Sequence, residues 1–559
     1  RDSAKEQVME LVSELAGVKI MPRAPSRIGA RMGRPEKAAE RKMKKQTINV
    51  LFPVGAEVGN RRLITDAAKH DTITIEVGDR VCPECGTHTF LPYCPKCHAR
   101  TEYTNKVVAQ KVDMKQLLKE AADNLGVKID KDIKGVKKMM SAEFIPEPLE
   151  KGILRAKHDV YVFKDGTIRF DMSDIAITHF RPREVGLTVE KARALGYTKD
   201  YLGKELVSEE QILELKVQDI IPSKKAGEYL VRVANYVDEL LEKYYKITRF
   251  YNVRTMEDLI GHLVVGLAPH TSAGVLGRIV GFTDARVGLA HPFFHAAKRR
   301  NCDGDEDSIM LLLNALLDFS QKFLPTKRGG LMDAPLVLTI QIDPSEIDKE
   351  ALNVDVGSYY PLEFYYATLR NAKPKEAEEY IDYVKKRLGT ERQYEGFSFT
   401  HDTTNINDGV LQSAYKTLGN MEMKIESQLD LAKKIRAVDE RDMASRIISH
   451  HFIPDIMGNL KKFGSQKFRC SSCNAKFRRM PLGGVCPKCG GKVILTVYPN
   501  SVKKYMDRAL RMAEEFHVDN YLLQRVRILK DSIDSIMASD DKNEEEEEKN
   551  KITLDNFFS

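Results

Sequence analysis

Nowhere in the 559-residue chain do about eighteen apolar residues run together without charge, so no membrane span is expected. The N-terminal stretch lacks the basic, apolar and small-residue succession of a secretory signal, and with Arg1 in place of Met the chain is expected to be a cytoplasmic fragment. No G-x-x-x-x-G-K-[ST] phosphate loop occurs, which disfavours ATP-driven chemistry. Beyond the single acidic cluster described below there is no second acidic or His-rich metal cluster, so a proofreading nuclease is unsupported. What remains, at 42% hydrophobic and 30% charged residues, reads as a globular protein long enough for several domains.

Cysteine is scarce but patterned. Of the nine, eight fall into C-x-x-C pairs: Cys82, Cys85, Cys94 and Cys97 in one set, Cys470, Cys473, Cys486 and Cys489 in the other. Each set offers four thiolates at knuckle spacing, which suits a tetrahedral structural Zn²⁺ with no position left for water; free thiols are the alternative. Two structural zinc ions explain the eight without any disulfide. The second set carries Lys467, Arg469, Lys476, Arg478 and Arg479, a face suited to DNA, to a partner subunit or simply to solvent.

The formal charge of +7 is modest, but it is unevenly spread. Arg23, Arg27, Arg31, Arg34, Lys37, Arg41, Lys42, Lys44 and Lys45 crowd a glycine-containing stretch opposed only by Glu36 and Glu40, and Glu544 to Glu548 form an acidic run at the other end. The basic stretch suits phosphate oxygens; a solvated face is the competing reading.

Apolar periodicity predicts helices over 1–20, 112–125 and 226–246, strands over 48–52 and 72–77, and a hairpin from Val160 to Phe170 turning on Asp165-Gly166. Short strands and tight loops are expected from Leu263 to Pro292. An apolar helix from Ile309 to Phe323 should follow, ended by Pro325, and then a buried strand from Pro335 to Ile342. Further helices are expected over 373–388, 409–438 and 501–537, with a disordered tail from Asp540.

The chemistry-bearing string is N-C-D-G-D-E-D over 301–307. Carboxylates two apart on an extended or looped backbone point the same way and repel unless a cation is present. Hard oxygen ligands of this kind suit Mg²⁺ or Mn²⁺. A calcium loop fails further along, because Ser308 stands where the turn glycine belongs and Asn314 where the bidentate Glu should be. A helix-capping acidic turn is the bland alternative. His291, His295, Lys298, Arg299 and Arg300 lie just upstream, placing cations for phosphate beside acids for metal, the parts that phosphoryl transfer needs. For His291 an ordinary satisfied histidine is the competing reading.

The string HPFFHAAKRRNCDGDED over 291–307, with K-R-G-G-L-M-D-A-P over 327–335 and R-M-G-R-P-E-K-A over 31–38, closely resembles the archaeal D-family DNA polymerase large subunit, across most of the chain. Its N-C-D-G-D is also similar to the N-A-D-F-D-G-D string of multisubunit RNA polymerases. The resemblance implies an α+β multidomain fold built on two double-psi β-barrels, with helical insertions and two zinc-ribbon-like modules. It also implies two-metal nucleotidyl transfer onto a primer 3′-hydroxyl, with Asp303 and Asp305 holding two Mg²⁺ or Mn²⁺ ions and Asn301 supporting them. Lys37 would face the incoming triphosphate, and Arg31, Arg34, Lys298, Arg299 and Arg300 would contact phosphate. The implied partners are primer-template DNA, deoxynucleoside triphosphates and a small exonuclease subunit.

On that basis the chain divides as follows. Residues 1–70 carry the basic loop and the start of the first barrel region, 71–105 the first zinc module, and 106–250 a barrel and helical connecting region. The catalytic barrel with its acidic loop spans 251–400, a helical region 401–465, the second zinc module 466–498, a C-terminal helical region 499–539, and the tail 540–559. The tail ends in K-I-T-L-D-N-F-F over 551–558, which resembles a sliding-clamp binding peptide in which Leu554, Phe557 and Phe558 fill a pocket. Lys551 stands where that motif has Gln. Two rivals remain open: a two-barrel polymerase that makes RNA, and a non-catalytic, zinc-stabilised DNA-binding scaffold.

Overall fold

The computed structural model describes residues 13–17, 47–55, 58, 61–301, 303–325, 331–400, 403–412, 417–435, 438–471 and 475–536. The helix expected over 1–20 is described only at 13–17, where 13–16 are helical; Arg31, Arg34, Lys37, Cys473 and the tail with Leu554, Phe557 and Phe558 lie outside. The chain forms two compact units, Pro35–Lys416 and Thr417–Ser559 with Arg1–Arg34. No helix among the described residues is long and apolar enough to cross a membrane.

In the first unit, β1 (Ile73–Val81) buries Ile73, Ile75 and Val77 and exposes Thr74 and Glu76, the period of a one-sided strand. It pairs antiparallel with β2 (His88–Thr89) and β3 (Glu102–Val112), in the order β2-β1-β3. The helix Met114–Leu125 follows, its first turn capped by Asp113, which accepts from Gln116 N at 2.9 Å, and its end closed by Gly126.

β4 (Phe170–Ala176) then begins a closed barrel. β5 (His179–Phe180) and β6 (Leu213–Glu214) pair to one side of it; β7 (Asp219–Ile221), β8 (Leu263–Leu267), β9 (Ala273–Ile279), β10 (Gly288–Ala290) and β11 (Asp303–Leu311) complete it. The order β9-β7-β10-β4-β11-β8 returns to β9, giving six strands with no open edge. Between β10 and β11 the short helix Pro292–Ala297 turns Phe294 inward onto Gly266 of β8 and Gly277 of β9. A Cβ at Gly266 would lie 2.9 Å from the ring and one at Gly277 3.1 Å, so those two strands carry glycine where the ring must pass.

Several expectations need correction. The acidic cluster opens a strand, not a helix: β11 is paired on both sides, with β4 and with β8, through Leu311, and the helix is confined to Leu312–Asp318. Ile309, Met310 and Leu311 are fully buried, and an apolar run of this length fits a central strand as well as a helix. The expected buried strand over 335–342 is β12 (Val337–Thr339), paired on one side only with β9, its Val337 62% and neighbouring Ile340 71% exposed.

The helix expected over 373–388 breaks after Pro374–Ala377 and a 3₁₀ turn Glu378–Tyr380. The backbone from Asp382 to Val384 instead pairs with Val354 and Val356, a non-local competition that periodicity does not register. Residues 48–52 form no ladder strand; Asn49 N instead donates to Lys134 O at 2.8 Å. The Asp165-Gly166 turn is present but tight, closed by Phe163 N donating to Thr167 O at 2.7 Å.

In the second unit, helices Met421–Lys434, Glu440–Ile447 and Ile453–Ser465 pack with Met506–Glu515 and the helical stretch 520–536 around Ile425, Leu429, Ile448, Met512 and Val526. β13 (Phe468–Cys470), β14 (Lys476–Phe477) and β15 (Val493–Ile494) make a small sheet in the order β14-β13-β15.

Candidate active site

The acidic loop sits where β11 enters the barrel beside β4. Asp303 pairs with Ile175 and Glu306 with Ser173, so the two residues between them on β11, Gly304 and Asp305, oppose the single residue Asp174. That is a β-bulge, a device that breaks the strict alternation of a strand and re-aims a side chain. Gly304 takes φ +97°, a backbone state costly for any residue with a Cβ. The backbone N–H of Asn301 donates to Asp305 Oδ2 at 3.2 Å, which draws the loop around that carboxylate.

Behind the bulge the charges are spent on one another. Lys298 and Asp307 are both fully buried and ion-paired, and the Lys298 ammonium also lies 4.5 Å above the Phe294 ring. Lys298 therefore faces Asp307 rather than open space, and Asp307 is not free to act as a third ligand of a calcium-type loop. Arg300 donates to Pro269 O, whereas Arg299 is exposed with φ +61°. His291 caps the helix Pro292–Ala297, accepting from Phe293 N at 3.1 Å, and burial pushes its imidazole down to about 3. Burial, with Lys298 nearby, also holds His295 well below its ordinary value, and its Nε2 donates to Ile175 O at 3.1 Å.

One acidic residue here escaped the sequence reading. Asp174 is fully buried; burial, reinforced by Asp305 and opposed by Lys298, pushes its carboxyl up to about 7. The sequence did hold a signal, two acidic residues, Asp171 and Asp174, inside F-D-M-S-D-I-A, a run that otherwise patterns as a strand. Nothing local tied that run to a loop some 130 residues later.

The donors present fit a hard divalent cation: Asp305 set on a bulge, Asp174 opposite it on the neighbouring strand, and a glycine that leaves room for approach. Cys82, Cys85, Cys94 and Cys97 bring their sulfurs within 4.8 Å of one another, as do Cys470, Cys486 and Cys489. Measured pairs lie at 3.3, 3.5 and 3.6 Å in the first set and 3.5 Å in the second. Tetrahedral zinc–thiolate bonds of roughly 2.3 Å would put sulfurs about 3.8 Å apart, so a small relaxation seats the ion.

The knuckles are built alike. The N–H of the leading cysteine donates to the carbonyl five residues on, Cys82 to Thr87, Cys94 to Ala99, Cys470 to Ala475 and Cys486 to Gly491. The residue after the second cysteine is left-handed at Gly86, His98 and Gly490. Both sets can hold zinc.

Residues 126–424 match a family model described as the catalytic domain of the DNA polymerase II large subunit DP2, and residues 1–116 match that protein's central domain. The DNA polymerase II large subunit of Methanococcoides burtonii is 52% identical over 96% of this chain and 49% of its own length. That of Archaeoglobus fulgidus is 53% identical over 96% and 49%, and that of Pyrococcus furiosus 52% over 95% and 44%. The chain thus spans about half the length of the curated relatives it matches. A catalytic-domain match over more than half of the chain, with such identity across nearly all of it, makes this chain a member of the DNA polymerase II large subunit family.

Proposed function

We propose that this chain carries the nucleotidyl-transfer centre of a replicative DNA-directed DNA polymerase. The carrying observation is the acidic loop at the head of β11, where Asp303 and Asp305 flank Gly304 on a closed barrel inside the stretch that matches a polymerase catalytic-domain family. Asp303 and Asp305 hold Mg²⁺ or Mn²⁺, two ions, with Asn301 orienting Asp305 through its N–H. Bound there, such cations would supply the Lewis acidity that lowers the pKa of the primer hydroxyl and the positive charge that offsets the triphosphate and the departing pyrophosphate.

The chain's own residues do the rest. The Lys298–Asp307 pair keeps the floor of the site neutral, so the charge presented to substrate is that of the loop. Exposed Arg299 is free to meet backbone phosphate; Lys37 is assigned to the triphosphate, and Arg31 and Arg34 to phosphate contacts. In this reading the six-stranded barrel is one of two double-psi barrels, the basic stretch belongs to the other, and both cysteine sets hold structural zinc. The partners are primer-template DNA, deoxynucleoside triphosphates and a small exonuclease subunit.

The test is template-directed primer extension by the complete enzyme, with deoxy- and ribonucleotides offered separately. Deoxynucleotide incorporation should dominate; equal or preferred ribonucleotide incorporation assigns the chain to RNA synthesis instead. Metal analysis should find two zinc ions per chain, falling to one in Cys82→Ser, and an unchanged zinc content in that variant removes the first cysteine set from the metal account. The tail assignment is separable. Deleting residues 551–559 should abolish stimulation of synthesis by a sliding clamp and leave unstimulated synthesis intact; stimulation that survives deletion dismisses Leu554, Phe557 and Phe558 as clamp contacts.

A further inference from the structure

We infer that Asp174 is a third carboxylate of the acidic centre, holding a divalent cation together with Asp303 and Asp305. The inference rests on the reading of those two aspartates as cation ligands, and it adds a residue from a different strand. Three observations meet at Asp174.

The ladder is the first. With Ile175 and Ser173 taken by Asp303 and Glu306, the bulge leaves Asp174 alone opposite Gly304 and Asp305, and the Asp174 and Asp305 carboxyls lie near enough to repel. Burial is the second. Asp174 is fully enclosed, yet neither carboxylate oxygen has a hydrogen-bond partner. Two other buried acids of the unit are provided for: Asp307 has Lys298, and Asp318, further along the chain, has Lys151 and Tyr236. A carboxylate kept from water with no donor is a cost that folded proteins rarely carry without a function.

The third observation is the character of its neighbours. The closest group able to carry positive charge is His295, whose Nδ1 lies 3.4 Å from Asp174 Oδ2 while its Nε2 donates to Ile175 O. Lys298, the one buried ammonium of the site, is engaged by Asp307. Among the described residues no lysine or arginine is paired with Asp174, which lies opposite Asp305 of the neighbouring strand, the electrostatic condition in which a divalent ion is taken up.

Binding of Mn²⁺ to the metal-stripped complete enzyme, followed by the electron paramagnetic resonance of free Mn²⁺, tests this without reference to activity. Asp305→Asn and Asp174→Asn should each weaken the tightest Mn²⁺ class at least tenfold. In the double variant the two losses should fall short of their product, because both act on one site. In chelator, Asp174→Asn should melt no lower than the parent, since an unpaired buried charge has been removed, while its gain in melting temperature on adding Mn²⁺ shrinks.

Unchanged Mn²⁺ affinity in Asp305→Asn overturns the underlying reading of the loop. Weakened affinity in Asp305→Asn with unchanged affinity in Asp174→Asn overturns this inference alone, and so does a variant that melts lower in chelator yet binds Mn²⁺ as the parent does. Should Asp174→Asn fail to fold, Asp174→Ser, smaller and equally neutral, is read by the same outcomes.

Discussion

Asp305→Asn is expected to lower primer extension by roughly a thousandfold, about 4 kcal/mol of transition-state stabilisation, while the enzyme still binds primer-template DNA. The two effects separate for a physical reason. DNA affinity comes from cations spread along the phosphate backbone, and none of them is altered by the substitution. The chemical step instead depends on charge developing at one phosphorus, where a cation held by one carboxylate fewer is both weaker and less well placed. Asn keeps the shape of Asp and can still accept from Asn301 N, so the bulge at Gly304 should persist. Extension at near-parental rate with bound DNA would remove Asp305 from the metal-holding role.

The second large effect is on stability. Arg155 is fully buried and donates to both oxygens of Glu147 at 2.7 and 2.8 Å, to Asn49 O at 3.1 Å and to Gly166 O at 3.1 Å, with Asp318 at 3.3 Å. Asp318 in turn accepts from Lys151 at 2.7 Å, from Asn314 at 2.8 Å and from Tyr236 at 2.9 Å. The network ties the segment around Asn49, the helix Leu149–His158, the helix Lys224–Glu239 and the helix that directly continues β11.

Arg155→Met should destabilise the unit by about 3–5 kcal/mol, because two buried carboxylates lose their shared counter-ion, and the loss is read from urea unfolding. Burial tends to raise the Asp318 carboxyl, but Lys151 and Arg155 outweigh it and hold the group below its ordinary 3.8. A depressed carboxyl contributes stability that is complete above 3.8 and lost as pH falls through the lower folded value. Parent and variant should therefore differ most above that pH and converge in stronger acid. A difference that stayed constant down through the acid range would mean the network does not act through charge.

How much of this was legible beforehand depended on whether the chemistry was local. The cysteine knuckles were readable because spacing alone brings each pair together, and each is closed by the same five-residue hydrogen bond. The acidic loop was readable as a string, but its setting was not: Ile309 to Leu311 read as a helix until pairing with β4 and β8 fixed them as a central strand. β12 failed the other way, since an apolar run states what a segment is made of and not whether a second sheet neighbour covers it.

Asp174 and the Lys298–Asp307 pair were invisible for one shared reason. The bulge register that sets Asp174 opposite Asp305 joins residues far apart in the chain, and the inward turn of Lys298 depends on Phe294 meeting two strand glycines. Charge near an active site was read from sequence as charge for substrate. Three dimensions divide it into charge that faces substrate and charge that balances charge.

The most direct test of the central claim is a crystal structure of the complete enzyme with primer-template DNA, an incoming nucleotide and Mn²⁺, with the ions located by their anomalous scattering. Manganese is expected at the loop bearing Asp303 and Asp305, touching the triphosphate and within reach of the primer terminus. Manganese absent from that loop, or a nucleotide seated away from it, would contradict the account.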